Sequence, residues 1–426
     1  MMLPLRRVGS PVVLAALVTL AACSDDNGLA PDPTPGPPEV PAVQLQRLLV
    51  ADTSARARLL AVGNDSVVQS LTLTGPASYV YGTSSGRFAG IQQRTASRVN
   101  FLDAGVWTEG TTGFRRPSSR LDFQLTDSLP THASVTGPWV SIFMDGNWRA
   151  VWINEADLHA GSPRVAFEIQ TGGPHHSGST TIVLNGTPYF VVAPRNPAGG
   201  LPAAVEVRNQ AGQVVATAPD CPSMHGNAGL LNGAAFGCAD GLVIVRQGVT
   251  GVTATKVTTT GEMAGLGLRN AWAAKTGTGR ILGQFSALPG QPTRRVLAMI
   301  DPVSGAIDPL PALPAGVVDH WRVIEPVKGQ VVMLGNNGTL YVYSAATRLL
   351  QHTIPGVTPP LPASGALTHQ VDAVEDLAAV ASPTTGEVVY VNLAVGTVVR
   401  RVAVGGHPSR LAFTGAKQNG TFTLAQ

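Results

Sequence analysis

The chain is 426 residues long, 44% hydrophobic and 13% charged, with a formal net charge of +3 at pH 7. The charged share is about half the usual one, so the surface must draw its polarity from Ser, Thr, Asn, Gln and Gly. No basic stripe interleaves with aromatics, which argues against a nucleic-acid partner. The sequence also holds no HExxH, P-loop, dinucleotide fingerprint or EF-hand loop, the commonest local signatures of catalysis or ion binding.

The first predicted element in chain order is an export signal. Arg6 and Arg7 form a positive start, Val12 to Leu20 an apolar core, and small residues lead into Cys23. The core is about nine residues long, too short to span a bilayer as a helix. Leu20-Ala21-Ala22-Cys23 has the lipobox pattern of bacterial lipoproteins. It predicts a signal peptide over 1–22, cleavage before Cys23, and lipidation of that thiol. Ser24 in the next position, by resemblance to enteric lipoproteins, directs the expected anchor to the outer membrane of the cell envelope. Several acyl chains make such an anchor effectively permanent. Residues 23–42 then read as the lipidated cysteine and a tether, since six prolines fall between Ser24 and Pro41 with almost nothing apolar.

From residue 43 onward, short Val/Ile/Leu/Tyr runs alternate with Gly, Asn, Asp and Pro, and no helical periodicity is sustained. The runs repeat. Val296 to Asp301, Leu340 to Ser344 and Val388 to Asn392 each lead into a tight turn and a second strand. Weaker copies put further turns near 52, 103, 154, 209 and 247. The mean step is about 49 residues, the size of a four-stranded propeller blade. The expectation is an all-β fold over 43–426: one β-propeller domain of eight four-stranded blades, with seven as the alternative because the first third is irregular. Its ring would close through both termini. Gln46 to Val62 would supply the third and fourth strands of the closing blade, and Leu411 to Leu424 the first and second.

Nine histidines are present. His175, His176, His225, His320, His369 and His407 recur at steps near multiples of the repeat, each just before a candidate innermost strand. There the side chains of different blades converge on the channel mouth. Convergent neutral imidazoles are the donor set of Zn²⁺, and His176, His225 and His407 are the leading ligands. The competing reading makes these histidines hydrogen-bonding corners of an envelope scaffold that carries no metal. His132, His159 and His352 fall elsewhere in the repeat. With Cys23 taken by lipid, Cys221 and Cys238 are left as a disulfide in an oxidising compartment; metal ligation by that pair is the rival. Gly82-Thr-Ser84-Ser-Gly86 matches G-x-S-x-G, but Arg87-Phe-Ala-Gly-Ile after it reads as strand rather than helix, so a turn is expected and no catalytic residue is assigned. Asp301, Asp319 and Asp372 are the carboxylates a scattered site would use.

Three segments carry a family resemblance: Thr171-Gly-Gly-Pro-His175-His176, Asp220-Cys221-Pro-Ser-Met-His225-Gly226 and Phe236-Gly-Cys238-Ala-Asp240-Gly241. They resemble AztD-type periplasmic zinc metallochaperones, β-propellers that deliver zinc to the solute-binding protein of an importer. The later segments, including Val404-Gly-Gly-His407-Pro, are also similar to generic YVTN-like repeats. The resemblance implies zinc as the bound ion and a zinc-importer solute-binding protein as partner. Two departures stand out: the family's flexible His- and acid-rich loop is missing, and this chain carries a lipobox.

Overall fold

The computed structural model describes residues 39–173, 178–287, 294–361, 368–415 and 421–425. Cys23, His175 and His176 lie outside the described residues, as does the predicted signal peptide. The architecture is all-β, with nine four-stranded sheets, as in a β-propeller. Eight of these sheets are antiparallel throughout. Six of them, sheets 3 to 8 in chain order, are each made from four consecutive strands. Sheet 2 combines Tyr79–Gly82, Phe88–Gln93, Arg98–Asp103 and Ser119–Leu125, with the hairpin Val106–Glu109 and Thr112–Arg115 inserted before its last strand. Sheet 1 joins the two ends of the chain. Its order is Pro408–Gly415, Gln46–Asp52, Arg56–Ala61, Val67–Thr72, and Leu48 stands opposite Phe413 in the register.

Burial along each sheet explains its sequence. The third strands, such as Glu387–Asn392, have their interior residues buried on both faces and read as unbroken apolar runs. The fourth strands alternate, as in Thr397–Ala403, where every second residue is exposed. Neighbouring sheets share their cores. One cluster joins Ala379 and Tyr390 of sheet 8 to Leu48, Leu411 and Phe413 of sheet 1; another joins Val191 and Val207 of sheet 4 to Phe236 and Val243 of sheet 5.

Two sequence expectations about the closing sheet need correction. Gln46–Asp52 and Arg56–Ala61 are its second and third strands, not its third and fourth, and Val67–Thr72 is the fourth. The misreading came from turn chemistry. Asp52 Oδ1 accepts the Ser54 N–H at 2.7 Å, as Asp301 Oδ1 accepts that of Val303 at 2.9 Å and Asn392 Oδ1 that of Ala394 at 2.9 Å. The same short turn therefore serves a second-to-third hairpin in sheet 1 and third-to-fourth hairpins elsewhere. The second correction concerns Leu411 to Leu424, which is not a strand pair of one sheet. Only Pro408–Gly415 enters sheet 1. Thr421–Leu424 instead pairs antiparallel with Glu39–Pro41 and parallel with Thr112–Arg115, forming the ninth sheet with the sheet 2 insertion. Glu39–Pro41, inside the stretch read as tether, is thus a strand. The irregular first third arises from that insertion and from a short helix, Glu155–His159, placed between the third and fourth strands of sheet 3.

Candidate functional site

The innermost strands of sheets 1 to 8 are Pro408–Gly415, Tyr79–Gly82, Pro130–Thr136, Ser179–Leu184, Asn227–Leu230, Gly267–Trp272, Asp319–Ile324 and Val371–Val374. One cavity of about 490 Å³ is lined by residues on or adjoining all eight. Lys275 lies on the loop that leaves sheet 6 after Gly267–Trp272, and this loop reaches across the strand ends. Its Lys275 carbonyl accepts the Gly137 N–H of sheet 3 at 3.2 Å, and its Gly277 carbonyl accepts the Leu231 N–H of sheet 5 at 2.7 Å. The Lys275 ammonium donates to the Phe413 carbonyl of sheet 1 at 3.0 Å and stands 3.9 Å from Asp372 of sheet 8. Gly277 has φ +72°, and a Cβ there would meet Gly137 N at 2.9 Å, so the crossing needs glycine. The loop thus ties together sheets 1, 3, 5 and 8 beside the cavity.

The four described histidines of the predicted six do not form one group. His225 lines the cavity, just before Asn227–Leu230. Its Nδ1 lies 2.7 Å from the Arg269 carbonyl of sheet 6. A carbonyl only accepts, so Nδ1 carries a proton and donates it, the way a metal-ligating imidazole is held by a backbone partner. His407 has the same anchoring, Nδ1 to the Pro383 carbonyl at 2.9 Å, but it is exposed and outside the cavity lining. His320 and His369 pack edge to face with ring centroids 6.0 Å apart, and His320 Nε2 accepts the His369 N–H at 3.4 Å. His369 is fully buried. Among the described residues no three His, Cys, Asp or Glu side chains are grouped to hold a metal ion. The segment that carries His175 and His176 rejoins the described chain at Gly178. A Cβ on Gly178 would touch Asn227, two residues from His225.

His132, set aside in the sequence, lines the cavity from Pro130–Thr136. The cavity lining also includes Lys275, Arg322, Arg410, Trp272 and Trp321. Arg322 stacks over the Trp272 ring at 3.9 Å and pairs with Asp319, which also binds Arg295 at 2.6 Å. Burial, followed by the Arg295 charge, disfavours the charged form of Arg322. Tyr79 is pushed up to about 12 by burial and by the Asp372 carboxylate. Of the carboxylates named for a scattered site, Asp301 serves its turn and Asp319 its ion pairs.

The pair Cys221 and Cys238 is a disulfide. It ties the segment before Asn227–Leu230 to the end of Gly233–Cys238, whose register also fixes His225: the His225 N–H donates to the Gly237 carbonyl at 3.0 Å, and the Gly237 N–H to Gly226 at 2.8 Å. Gly237 is obligatory, because a Cβ would lie 2.1 Å from the Leu268 carbonyl and 2.4 Å from that of His225.

The G-x-S-x-G segment is the turn between Tyr79–Gly82 and Phe88–Gln93, with strand after it. Glu155 accepts the Ser85 N–H at 3.0 Å and the hydroxyls of Thr83 and Ser85. His159 Nε2 lies 3.3 Å from Ser85 Oγ. The Arg87 guanidinium donates to His159 Nδ1 at 2.9 Å, so the proton is on Nε2 and points at the hydroxyl. That tautomer gives a proton to serine and cannot take one, the reverse of an activated nucleophile. Burial is the largest influence on His159 and lowers its pKa; Glu155 opposes this and Arg87 adds to it. A lowered folded-state value means the unfolded chain binds more protons. The stability is fully present above the ordinary histidine range and falls as pH drops through about 6.5. His159→Gln should therefore flatten the loss of thermal midpoint between pH 7.5 and 5.5. An unchanged slope would remove His159 as its source.

No protein-family model and no curated protein sequence matches the chain. Solved structures do. Apo AztD from Citrobacter koseri superposes with a TM-score of 0.74 at 19% identity, over 89% of this chain and 100% of that one. A second Citrobacter koseri AztD structure gives 0.75 at the same identity and coverage. The fold is that of AztD. The dihydro-heme d1 dehydrogenase NirN shares it more distantly, with a TM-score of 0.55 at 12% identity over 89% of this chain and 77% of that one.

Proposed function

We propose that this chain is a lipid-anchored envelope propeller of AztD type that binds zinc at its channel mouth. In this reading sheets 1 to 8 are eight blades, and the ring closes by pairing Pro408–Gly415 with Gln46–Asp52 in a domain that follows a signal peptide and tether. The observation that carries the metal assignment is His225, which lines the cavity with its Nδ1 proton donated to a carbonyl of the neighbouring blade, so that Nε2 is the atom that would take the metal. The described donors supply only part of a tetrahedral set, so His175 or His176 would complete it from the segment that returns at Gly178. The likeness to AztD supports zinc as cargo and a zinc-importer solute-binding protein as partner. The carbonyl bond of His407 and the His320–His369 contact favour a second reading, in which those histidines act as clamps in a scaffold. This transfers the site from six histidines to the His225 side of the mouth.

Calorimetric titration of the detergent-solubilised full chain with zinc tests the proposal. One ion per chain is expected, with affinity falling as pH drops, because imidazole binds metal only when neutral. His225→Ala should weaken binding on the order of 100-fold, the scale of lost metal-site support, while His407→Ala should not. The absence of zinc binding by the wild type would leave the scaffold. The anchor has its own check: Cys23→Ser should abolish labelling by radioactive palmitate, and labelling that persists would refute it.

A further inference from the structure

We infer that the cavity is a cup for a small organic anion with a flat apolar body, held by residues other than the histidine proposed for zinc. Three cationic side chains line it: Lys275, Arg322 and Arg410. Asp372 is the one carboxylate in the described lining, and its charge is already committed. Asp372 Oδ2 accepts the Phe413 N–H at 2.7 Å, its Oδ1 accepts the Ala373 N–H at 2.9 Å, and Lys275 faces it. Behind the wall, Asp319 is shared by Arg322 and Arg295, so cations outnumber carboxylates there as well. A walled cleft with this imbalance draws anions in.

The apolar body has its own partners. Trp272 and Trp321 both line the cavity, and each lies beneath a guanidinium, Arg322 at 3.9 Å and Arg410 at 5.8 Å. A planar ligand set against these indoles would place its acid group among the guanidiniums and Lys275. Arg322 supplies a further sign. Its Nε is buried and has no hydrogen-bond partner among the described residues. A buried donor left so is costly in a finished site and satisfied in a filled one. Arg410 is better held, donating to the Ser78 carbonyl at 2.7 Å and the Ser409 carbonyl at 2.8 Å, and so is preorganised toward the cup.

The test is calorimetry of the full chain in excess chelator, which takes zinc out of the comparison. The probes are 2-naphthoate and its neutral counterpart 2-naphthylmethanol. Naphthoate should bind one per chain at least tenfold more tightly than the alcohol, the size of one charge-assisted hydrogen bond. Arg410→Gln should remove about that tenfold, and Arg410→Lys should keep part of it. Equal affinity for the two probes in the wild type, no binding of naphthoate, or full affinity in a folded Arg410→Gln protein would each overturn the proposal. The comparison of probes on the wild type holds even where a variant fails to fold.

Discussion

Phe413→Ala is expected to lower the unfolding free energy by about 3–5 kcal/mol, the usual cost of emptying a buried phenylalanine site. Phe413 is fully buried and packs in the cluster that joins sheet 8 to sheet 1. It sits on Pro408–Gly415, the single C-terminal strand of a sheet whose other three strands come from the N-terminal end. Loss of the ring therefore acts where the chain joins itself without a covalent bond. Urea unfolding of the variant against an exposed control, Leu350→Ala on an outer strand, measures it. A difference below about 1 kcal/mol would show that this packing does not hold the two ends together.

Replacing both cysteines, Cys221→Ala with Cys238→Ala, is expected to cost about 3 kcal/mol, since the bridge closes a loop of 17 residues in the unfolded chain. Both sulfurs are buried in one apolar cluster with Phe236 and Val205, so alanine leaves a small cavity and no unpaired polar group. The same sheet carries His225, and zinc affinity should fall with stability while the hydrogen bonds to Gly237 persist. Thermal scans with and without reductant give the comparison in the wild type. An unchanged midpoint under reduction, with both thiols then alkylated, would assign the bridge no stabilising part.

Much of the fold was legible because propeller strands write their position in burial. Third strands such as Leu340–Ser344 are sandwiched on both faces and appear as apolar runs at a steady spacing. What the spacing could not tell was which strand of a sheet a given hairpin belonged to, because Asp52 and Asp301 make the same turn. The disulfide was readable by counting. The site was harder. The phase of the repeat put histidines at strand starts, and His225 does line the cavity, but phase fixes a position along the repeat and not a side chain's direction. His369 has the right phase and is buried between sheets, while His132 was passed over and lines the cavity. Lys275 left no trace in the repeat at all. It sits in a loop whose contacts with sheets 1, 3, 5 and 8 exist only once the strands have gathered.

The ninth sheet gives the chain a cyclic order. Glu39 lies opposite Thr423 and Pro41 opposite Thr421, so the first and last described strands are already side by side. A short linker from Ala425 to Glu39 would thread Pro408–Gly415 to Gln46–Asp52 through covalent chain. New ends could then be opened at Val249, fully exposed in the turn between Gly241–Gly248 and Gly251–Thr258. Such a permutant would keep every described strand in its sheet while moving the chain ends to an exposed hairpin, so the pairing of Pro408–Gly415 with Gln46–Asp52 would no longer depend on two distant segments finding each other.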